Sequence, residues 1–136
     1  MSLVIFDTSV LVKDLRKGLY EDRIQNVTGL IRLSSVVLAE LWRGAITRED
    51  SEVLLRLARN HPVLTPTEKN WMESGQILKR MRGDLGLAPD KLRTIHFDVL
   101  IALTARSHGA RLITANARDF QMIHQYRKFD LEVWKA

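Results

Sequence analysis

The chain has 136 residues, of which 46% are hydrophobic and 27% are charged. These proportions predict one domain over residues 1–136 with a buried core, and they exclude a disordered or collagen-like chain. Cysteine is absent, which excludes disulfide bonds, thiolate metal sites and a cysteine nucleophile.

The charge of the chain is its remaining global feature. Its 21 Lys and Arg residues outnumber 16 Asp and Glu residues, which gives a net charge of +5. A basic balance favours polyanionic partners such as nucleic acid or anionic lipid, but it is equally compatible with a solvated basic surface. Charged side chains interrupt every apolar run, so no membrane span is predicted. Because the first residues contain no basic segment and no cleavable apolar one, we expect a cytoplasmic location.

Short apolar runs alternate with helical periodicities along the chain. The predicted strands lie at residues 3–6, 30–35, 63–64 and 111–114, with an edge strand at 129–134. The predicted helices cover residues 10–17, 36–46 and 51–60, a long segment after residue 67, and residues 97–107 and 116–123. Two glycines and a proline predict a loop over residues 83–91.

The alternation of strands and helices predicts an α/β fold, with a parallel sheet covered by helices on both faces. On the long helix, the predicted buried face consists of Trp71, Met72, Gly75, Leu78 and either Met81 or Arg82. Open parallel sheets bind ligands beyond the carboxyl ends of their strands. Functional residues are therefore expected at Asp7, which follows the first strand, and at residues 114–119.

Four carboxylates lie in or beside apolar segments, whereas most others lie in polar ones. They are Asp7, Glu40, Asp98 and Asp119. Asp7 ends an apolar strand, and Asp98 shares a predicted helix face with small apolar residues. Carboxylates are rarely buried unless they pair with a positive charge or bind a metal ion.

Each of these acids also has a purely structural explanation. Asp7 is a typical helix N-cap residue, and Asp98 is favoured near the positive N-terminal end of a helix. Glu40 has Arg43 three residues later as a possible partner, and Asp119 lies in a first helical turn. These explanations predict no common location for the four acids, whereas a shared site does.

A shared site of four carboxylates requires a cation, because the negative charges repel each other. A set of oxygen ligands without His or Cys suits Mg²⁺ or Mn²⁺. Such an ion activates water and stabilises the leaving oxygen in phosphodiester hydrolysis. The basic surface would then attract the phosphate backbone to an acidic pocket.

Four segments of the chain resemble the motifs of PIN-domain ribonucleases, and most closely those of VapC-type toxins of prokaryotic toxin–antitoxin pairs. The segments are residues 6–9 (FDTS), 38–41 (LAEL), 97–102 (FDVLIA) and 112–120 (LITANARDF). Their order and spacing extend the resemblance over essentially the whole chain. It implies a three-layer α/β/α PIN-like domain with a mostly parallel central sheet of four to five strands. The implied activity is that of an endoribonuclease dependent on Mg²⁺ or Mn²⁺.

The resemblance also implies which residues form the catalytic metal site. Asp7, Glu40 and Asp98 correspond to the three acids that define this site in the family. Asp119 matches the more variable fourth acid. Some members carry an acid where this chain has Asn116, so either Asn116 or Asp119 is the nearer fourth ligand.

Hydroxyl and basic side chains beside these acids complete the predicted site. Ser9 and Thr114 align with family hydroxyls that orient water, a carboxylate or phosphate. Lys13, Arg43 and Arg118 lie near the acid motifs in the sequence and are the candidate RNA contacts, although a solvated position is the simpler explanation for each.

The family resemblance further implies partners. These are an RNA substrate, a cognate VapB-type antitoxin whose C-terminal segment lies near the active site, and a second copy of the chain in a homodimer. Trp42 and Trp71 fit either protein surface, but core packing is the expectation from their helical spacing. The alternative to an enzyme is a non-catalytic PIN-like module that binds RNA or protein.

Overall fold

The computed structural model describes residues 2–135, and its centre is one sheet of five short strands. The strands are β1 (Leu3–Phe6), β2 (Leu30–Ser34), β3 (Val63–Leu64), β4 (Arg111–Thr114) and β5 (Leu131–Val133). They lie in the order β3-β2-β1-β4-β5, and every neighbouring pair is parallel. The predicted parallel sheet is confirmed, with β5 at one edge.

Seven helices connect the strands within residues 2–135. They are α1 (Thr8–Lys17), α2 (Glu21–Gln25), α3 (Ser35–Gly44), α4 (Arg48–Asn60), α5 (Glu68–Leu85), α6 (Pro89–Ser107) and α7 (Ala117–Tyr126). Three consecutive residues of β1, Val4, Ile5 and Phe6, are all buried. Because successive strand residues point to opposite faces, both faces of the sheet are covered by helices. The fold is therefore the predicted three-layer α/β/α arrangement.

Helix caps explain where several predicted boundaries were wrong. Thr47 and Asp50 form a capping box, so α4 begins at Arg48 rather than at residue 51. Ser34 accepts hydrogen bonds from the backbone N–H groups of the first turn of α3, which begins at Ser35. The short helix α2 was not predicted, because its five residues are too few to show a periodic pattern.

The predicted buried face of α5 is confirmed only at Met81, which is buried, and at Leu78, which is partly buried and packs against the core. The buried residues of this helix are Asn70, Ser74, Ile77 and Met81. The Asn70 amide donates a hydrogen bond of 2.9 Å to the Ser107 hydroxyl on α6. Ser74 donates to the backbone carbonyl of Trp71 at 2.7 Å. Polar residues with partners thus face the neighbouring helix, and they turn Trp71 and Met72 towards solvent.

The predicted loop over residues 83–91 was also wrong for most of its length. Helix α5 continues to Leu85 and ends at Gly86, whose φ of 63° lies in the left-handed region that glycine tolerates best. Helix α6 then begins at Pro89, a residue favoured in the first helical turn. The longer α6 places Lys91 on the same helix as Asp98, seven residues before it and on the same face.

Candidate active site

Asp7 lies at the carboxyl end of β1 and is almost fully buried, with 3% of its surface exposed. It is the N-cap of α1, as the structural explanation of this residue predicts. Its Oδ2 atom accepts hydrogen bonds from the Ser9 hydroxyl at 2.6 Å, the Thr114 hydroxyl at 2.8 Å and the Ser9 backbone N–H at 3.4 Å. One oxygen of this carboxylate is therefore fixed by the fold.

The two hydroxyls that hold Asp7 are themselves held by the backbone after β4. The Ser9 oxygen accepts from the Ala115 N–H at 3.0 Å, and the Thr114 oxygen accepts from the Asn116 N–H at 2.9 Å. Each hydroxyl has a single proton, which it donates to Asp7. Their roles are thereby fixed, and the prediction that Ser9 and Thr114 orient a carboxylate agrees with this arrangement.

Glu40 lies on α3 and is oriented by one hydroxyl. Thr8 donates to Glu40 Oε1 at 2.7 Å, and the Arg43 guanidinium lies 4.0 Å from Oε2. The pKa of Glu40 lies above its usual value, mainly because the side chain is partly buried. The negative charge of Asp7 raises this pKa further, whereas the Thr8 hydrogen bond and the charge of Arg43 lower it. The hydrogen bond from Thr8 places Glu40 of α3 beside the start of α1, where Asp7 is the N-cap.

Asp98 lies on α6 and is the most perturbed acid of the group. Burial and the negative charges of Asp7, Glu40 and Asp119 raise its pKa to about 8, although the charge of Lys91 opposes this shift. Within residues 2–135, the Asp98 carboxylate receives no hydrogen bond. The charges of all three other acids act on Asp98, so the four predicted carboxylates lie in the same part of the molecule.

Asp119 lies in the first turn of α7 and is held by two donors. Its Oδ1 atom accepts from Lys91 Nζ at 2.9 Å, and its Oδ2 atom accepts from the Asn116 amide at 3.1 Å. Burial raises the pKa of Asp119, but the hydrogen bonds and the charges of Lys91 and Arg118 outweigh it, so this pKa lies below its usual value. Asn116 itself is the N-cap of α7 and accepts from the Asp119 backbone N–H.

The three predicted basic residues differ in their relation to the acids. Arg43 approaches Glu40 and also lies over the ring of Phe97, 5.8 Å from its centroid. Arg118 is exposed and influences Asp119 through its charge. Lys13 is exposed on α1, and no ion pair joins it to an acid of residues 2–135.

The four acids offer the donor chemistry of a hard divalent cation. Between residues 2 and 135, no three His, Asp or Glu side chains lie close enough together in this structure to hold a metal ion. Asp98 accepts no hydrogen bond within these residues, and burial, together with the negative charges of the other three acids, raises its pKa. In donor chemistry the four carboxylates fit Mg²⁺ or Mn²⁺, because carboxylate oxygens are the ligands these ions prefer and a bound cation would supply positive charge.

The model of the PIN domain family matches residues 4–124, which contain all four acids. The chain belongs to the PIN-domain family. No curated protein matches it closely enough to count as a relative. The sequence resemblance at the level of the family is therefore confirmed, and the three-layer sheet described above is a PIN domain.

Several solved structures share the fold of this PIN domain. A chain of VapBC2 from Rickettsia felis, bound to a DNA fragment from its promoter, is 23% identical with a TM-score of 0.74, over 98% of this chain and 99% of that one. DNA-bound VapBC from Salmonella typhimurium is 23% identical with a TM-score of 0.72, over the same shares of both chains. VapBC-5 of the VapBC toxin–antitoxin family, from Mycobacterium tuberculosis, is 20% identical with a TM-score of 0.57 over both full lengths.

Two residues of the PIN-domain site were missed by the sequence reasoning. Thr8 orients Glu40, and its position directly after Asp7 was the available signal. Lys91 contacts Asp119 but was assigned to a loop, so its helical spacing from Asp98 was not considered. Both residues act on acids from other helices, which sequence spacing alone does not reveal.

The two tryptophans expected in the core lie instead at the surface. Trp42 on α3 is 40% exposed and Trp71 on α5 is 51% exposed. Each lies on a helix whose buried face is filled by other residues, so the expectation of core packing was wrong.

Within residues 2–135, no helix combines the length and the apolar character needed to cross a membrane.

Proposed function

We propose that this PIN domain is an endoribonuclease that hydrolyses RNA phosphodiester bonds with Mg²⁺ or Mn²⁺. We assign it as the VapC-type toxin of a VapBC-type toxin–antitoxin pair. The observation that carries the proposal is the environment of Asp98, which is surrounded by Asp7, Glu40 and Asp119 without a hydrogen-bond donor of its own. In this environment the charged form of Asp98 is unfavourable, and either a proton or a bound cation relieves the cost.

The residues of the chain have separate tasks in this proposal. Asp7, Glu40, Asp98 and Asp119 would hold the cation, with Asn116 orienting Asp119. When bound, the cation activates a water molecule and stabilises charge on the phosphate. Ser9 and Thr114 keep one oxygen of Asp7 in place, so that its other oxygen is presented in a fixed direction.

The basic residues fit a polyanionic substrate. Arg43 and Arg118 lie beside Glu40 and Asp119 and are largely exposed, so both are available to RNA phosphates. Lys13 lies one helical turn after Ser9 on α1, and we assign it to the edge of the same surface. The net charge of +5 favours the approach of RNA as a whole.

Two protein partners follow from the resemblance to VapC toxins. A groove between α1, α3 and α4 includes Glu40 in its lining, together with apolar residues such as Val12, Leu15, Leu41 and Leu54 and the charged Arg16, Glu49 and Asp50. We assign it to the C-terminal segment of a VapB-type antitoxin, which would then lie beside the acids. A homodimer is the second assignment, and light scattering of the purified chain tests it.

The decisive experiment measures RNA cleavage with Mg²⁺, with Mn²⁺ and with a chelator. Asp7→Asn and Asp98→Asn remove the charge of two acids with little change in shape. We expect each variant to lower the cleavage rate by about a thousandfold, because the cation and its charge stabilisation are lost. Asp90→Asn is the matched control, since Asp90 is an exposed acid on the same helix as Asp98.

Three outcomes separate the possibilities. Loss of cleavage in both site variants and with the chelator, but not in the Asp90 control, supports the enzyme. Cleavage that persists with the chelator, or in both site variants, contradicts the proposed mechanism. RNA or protein binding without any cleavage by the wild-type chain indicates the alternative, a non-catalytic PIN-like module.

A further inference from the structure

Lys91 is a basic side chain in direct contact with one of the four acids. Its Nζ atom donates to Asp119 Oδ1 at 2.9 Å, whereas the Arg43 guanidinium lies 4.0 Å from Glu40. The Asp119 side chain is 14% exposed and that of Lys91 is 40% exposed. The ion pair is thus a close contact at the edge of the site, with the lysine on its solvent side.

This ion pair occupies a carboxylate that a metal ion would need. The other oxygen of Asp119 accepts from the Asn116 amide, so both oxygens already have a donor. An amide is neutral and does not repel a cation. The ammonium group carries a full positive charge at hydrogen-bond distance, and it opposes the binding of a second cation to the same carboxylate.

The position of Lys91 on α6 gives the lysine a second possible contact. Helix α6 places it two turns before Asp98 and on the same face, so the rigid helix keeps it at the site when its ion pair breaks. The four-carbon side chain is flexible and its ammonium is a compact charge, which suits a phosphate oxygen. Its partial exposure leaves room for this movement.

We propose that Lys91 is a resident cation of the site, which competes with the divalent metal for Asp119 and, once displaced, binds a phosphate of the RNA. This inference rests on the proposed function. It gives Lys91 two successive partners, a carboxylate in the metal-free protein and the substrate backbone in the metal-bound protein. Metal binding and RNA binding are thereby coupled through one side chain.

Calorimetric titration with Mn²⁺ alone tests the competition without requiring catalysis. We expect Lys91→Met to bind Mn²⁺ about threefold to tenfold more tightly than the wild type, because the competing charge is removed. Lys91→Arg, which keeps the charge, should remain close to the wild type. Unchanged or weaker binding by Lys91→Met overturns the proposal.

A double-mutant cycle separates direct competition from a general loss of positive charge. In the Asp119→Asn background the ion pair is absent, so Lys91→Met should give little further gain in Mn²⁺ affinity. An equal gain in both backgrounds indicates a long-range charge effect and overturns the pairing. Lys79→Met is the matched control, because it removes the same charge from the exposed surface of α5 and should leave the affinity unchanged.

The phosphate contact is tested by single-turnover RNA cleavage at saturating Mn²⁺. We expect Lys91→Met to raise the RNA concentration for half-maximal rate about threefold to tenfold, with a smaller change in the maximal rate. An unchanged half-saturating concentration contradicts the phosphate contact. A purely structural role predicts lower thermal stability of Lys91→Met without a change in metal affinity, and that result also overturns the proposal.

Failure of the inference differs from failure of the proposed function. A wild type that binds Mn²⁺ and cleaves RNA, together with a Lys91→Met variant of identical affinities, contradicts only the role of Lys91. A wild type that binds no Mn²⁺ overturns both, since there is then no metal for Lys91 to oppose.

Discussion

Asp7 and Asp98 belong to the same group of acids but are supported in opposite ways. One oxygen of Asp7 accepts three hydrogen bonds from Ser9 and Thr114. Asp98 accepts no hydrogen bond within residues 2–135, and its burial and negative neighbours raise its pKa to about 8. Hydrogen bonds within the fold thus stabilise the negative charge of Asp7, whereas the environment of Asp98 disfavours its charged form. One group of acids therefore contains both a carboxylate whose charge the fold stabilises, Asp7, and a carboxylate whose charge the fold disfavours, Asp98.

The largest expected effect concerns the support of Asp7. Thr114→Val removes the hydroxyl that donates to Asp7 and accepts from the Asn116 N–H. We expect a loss of about 1–3 kcal/mol in the free energy of unfolding, because buried polar groups lose their partners. The cleavage rate should fall by about 10- to 100-fold, because Asp7 is no longer oriented.

Chemical denaturation and cleavage assays check the Thr114 prediction. Thr114→Ser retains the hydroxyl and serves as the control, with most of the wild-type stability and activity. If Thr114→Val equals the wild type in both measurements, the Thr114 hydrogen bond to Asp7 contributes neither to the stability of the fold nor to the activity.

The next effect has the opposite sign. In the absence of divalent metal, Asp98→Asn should increase the free energy of unfolding by about 0.5–2 kcal/mol, because the cost of burying the charge and its repulsion by the other acids disappear. This corresponds to a rise of about 2–7 °C in the melting temperature. A decrease in stability would show that the Asp98 carboxylate is well supported in the folded state.

The pH dependence of this gain follows from the raised pKa. Between the ordinary value of 3.8 and the folded value of about 8, the folded state binds more protons at Asp98 than the unfolded state does. Wild-type stability therefore falls as pH rises through this window, and the variant escapes that part of the loss. Denaturation with a chelator should show the largest gain at the alkaline end and almost none below the ordinary pKa.

The smallest expected effect concerns Glu40, whose support by hydrogen bonds is intermediate between that of Asp7 and that of Asp98. Glu40 has one supporting hydroxyl, that of Thr8, at 2.7 Å. We expect Thr8→Val to lower the free energy of unfolding by about 0.5–1 kcal/mol, less than the Thr114 variant, because Glu40 is partly exposed. Denaturation of Thr8→Val beside Thr8→Ser measures the contribution of the hydroxyl, and a loss as large as that of Thr114→Val would remove the distinction between the two acids.

The sequence was sufficient to find the acids and the class of fold. Each of the four acids was noticeable because a carboxylate is unusual beside apolar residues. The bounds of the strands at 3–6 and 111–114 were predicted correctly. Open parallel sheets bring strand ends together, which explains why Asp7 and Thr114 could be expected at one edge.

Sequence reasoning failed where a tertiary contact decided the structure. Glycine and proline near residue 86 suggested a long loop, but Gly86 only ends one helix and Pro89 only begins the next. On α5, Asn70 and Ser74 are buried because partners on α6 satisfy them, and hydrophobicity alone favoured Trp71. The contact of Lys91 with Asp119 depends on the start of α6 at Pro89 and on the packing of α6 against α7.

The hydrogen bond between Asp7 and Thr114 joins residues 107 positions apart in the chain. A contact of such long range forms only after the intervening loop has closed, which is entropically unfavourable until the sheet assembles. A growing chain that has emerged only as far as α6 contains Asp7, Glu40 and Asp98 but neither the hydroxyl of Thr114 nor Asp119. The order of synthesis therefore delays assembly of the complete site until nearly all of the described chain is available.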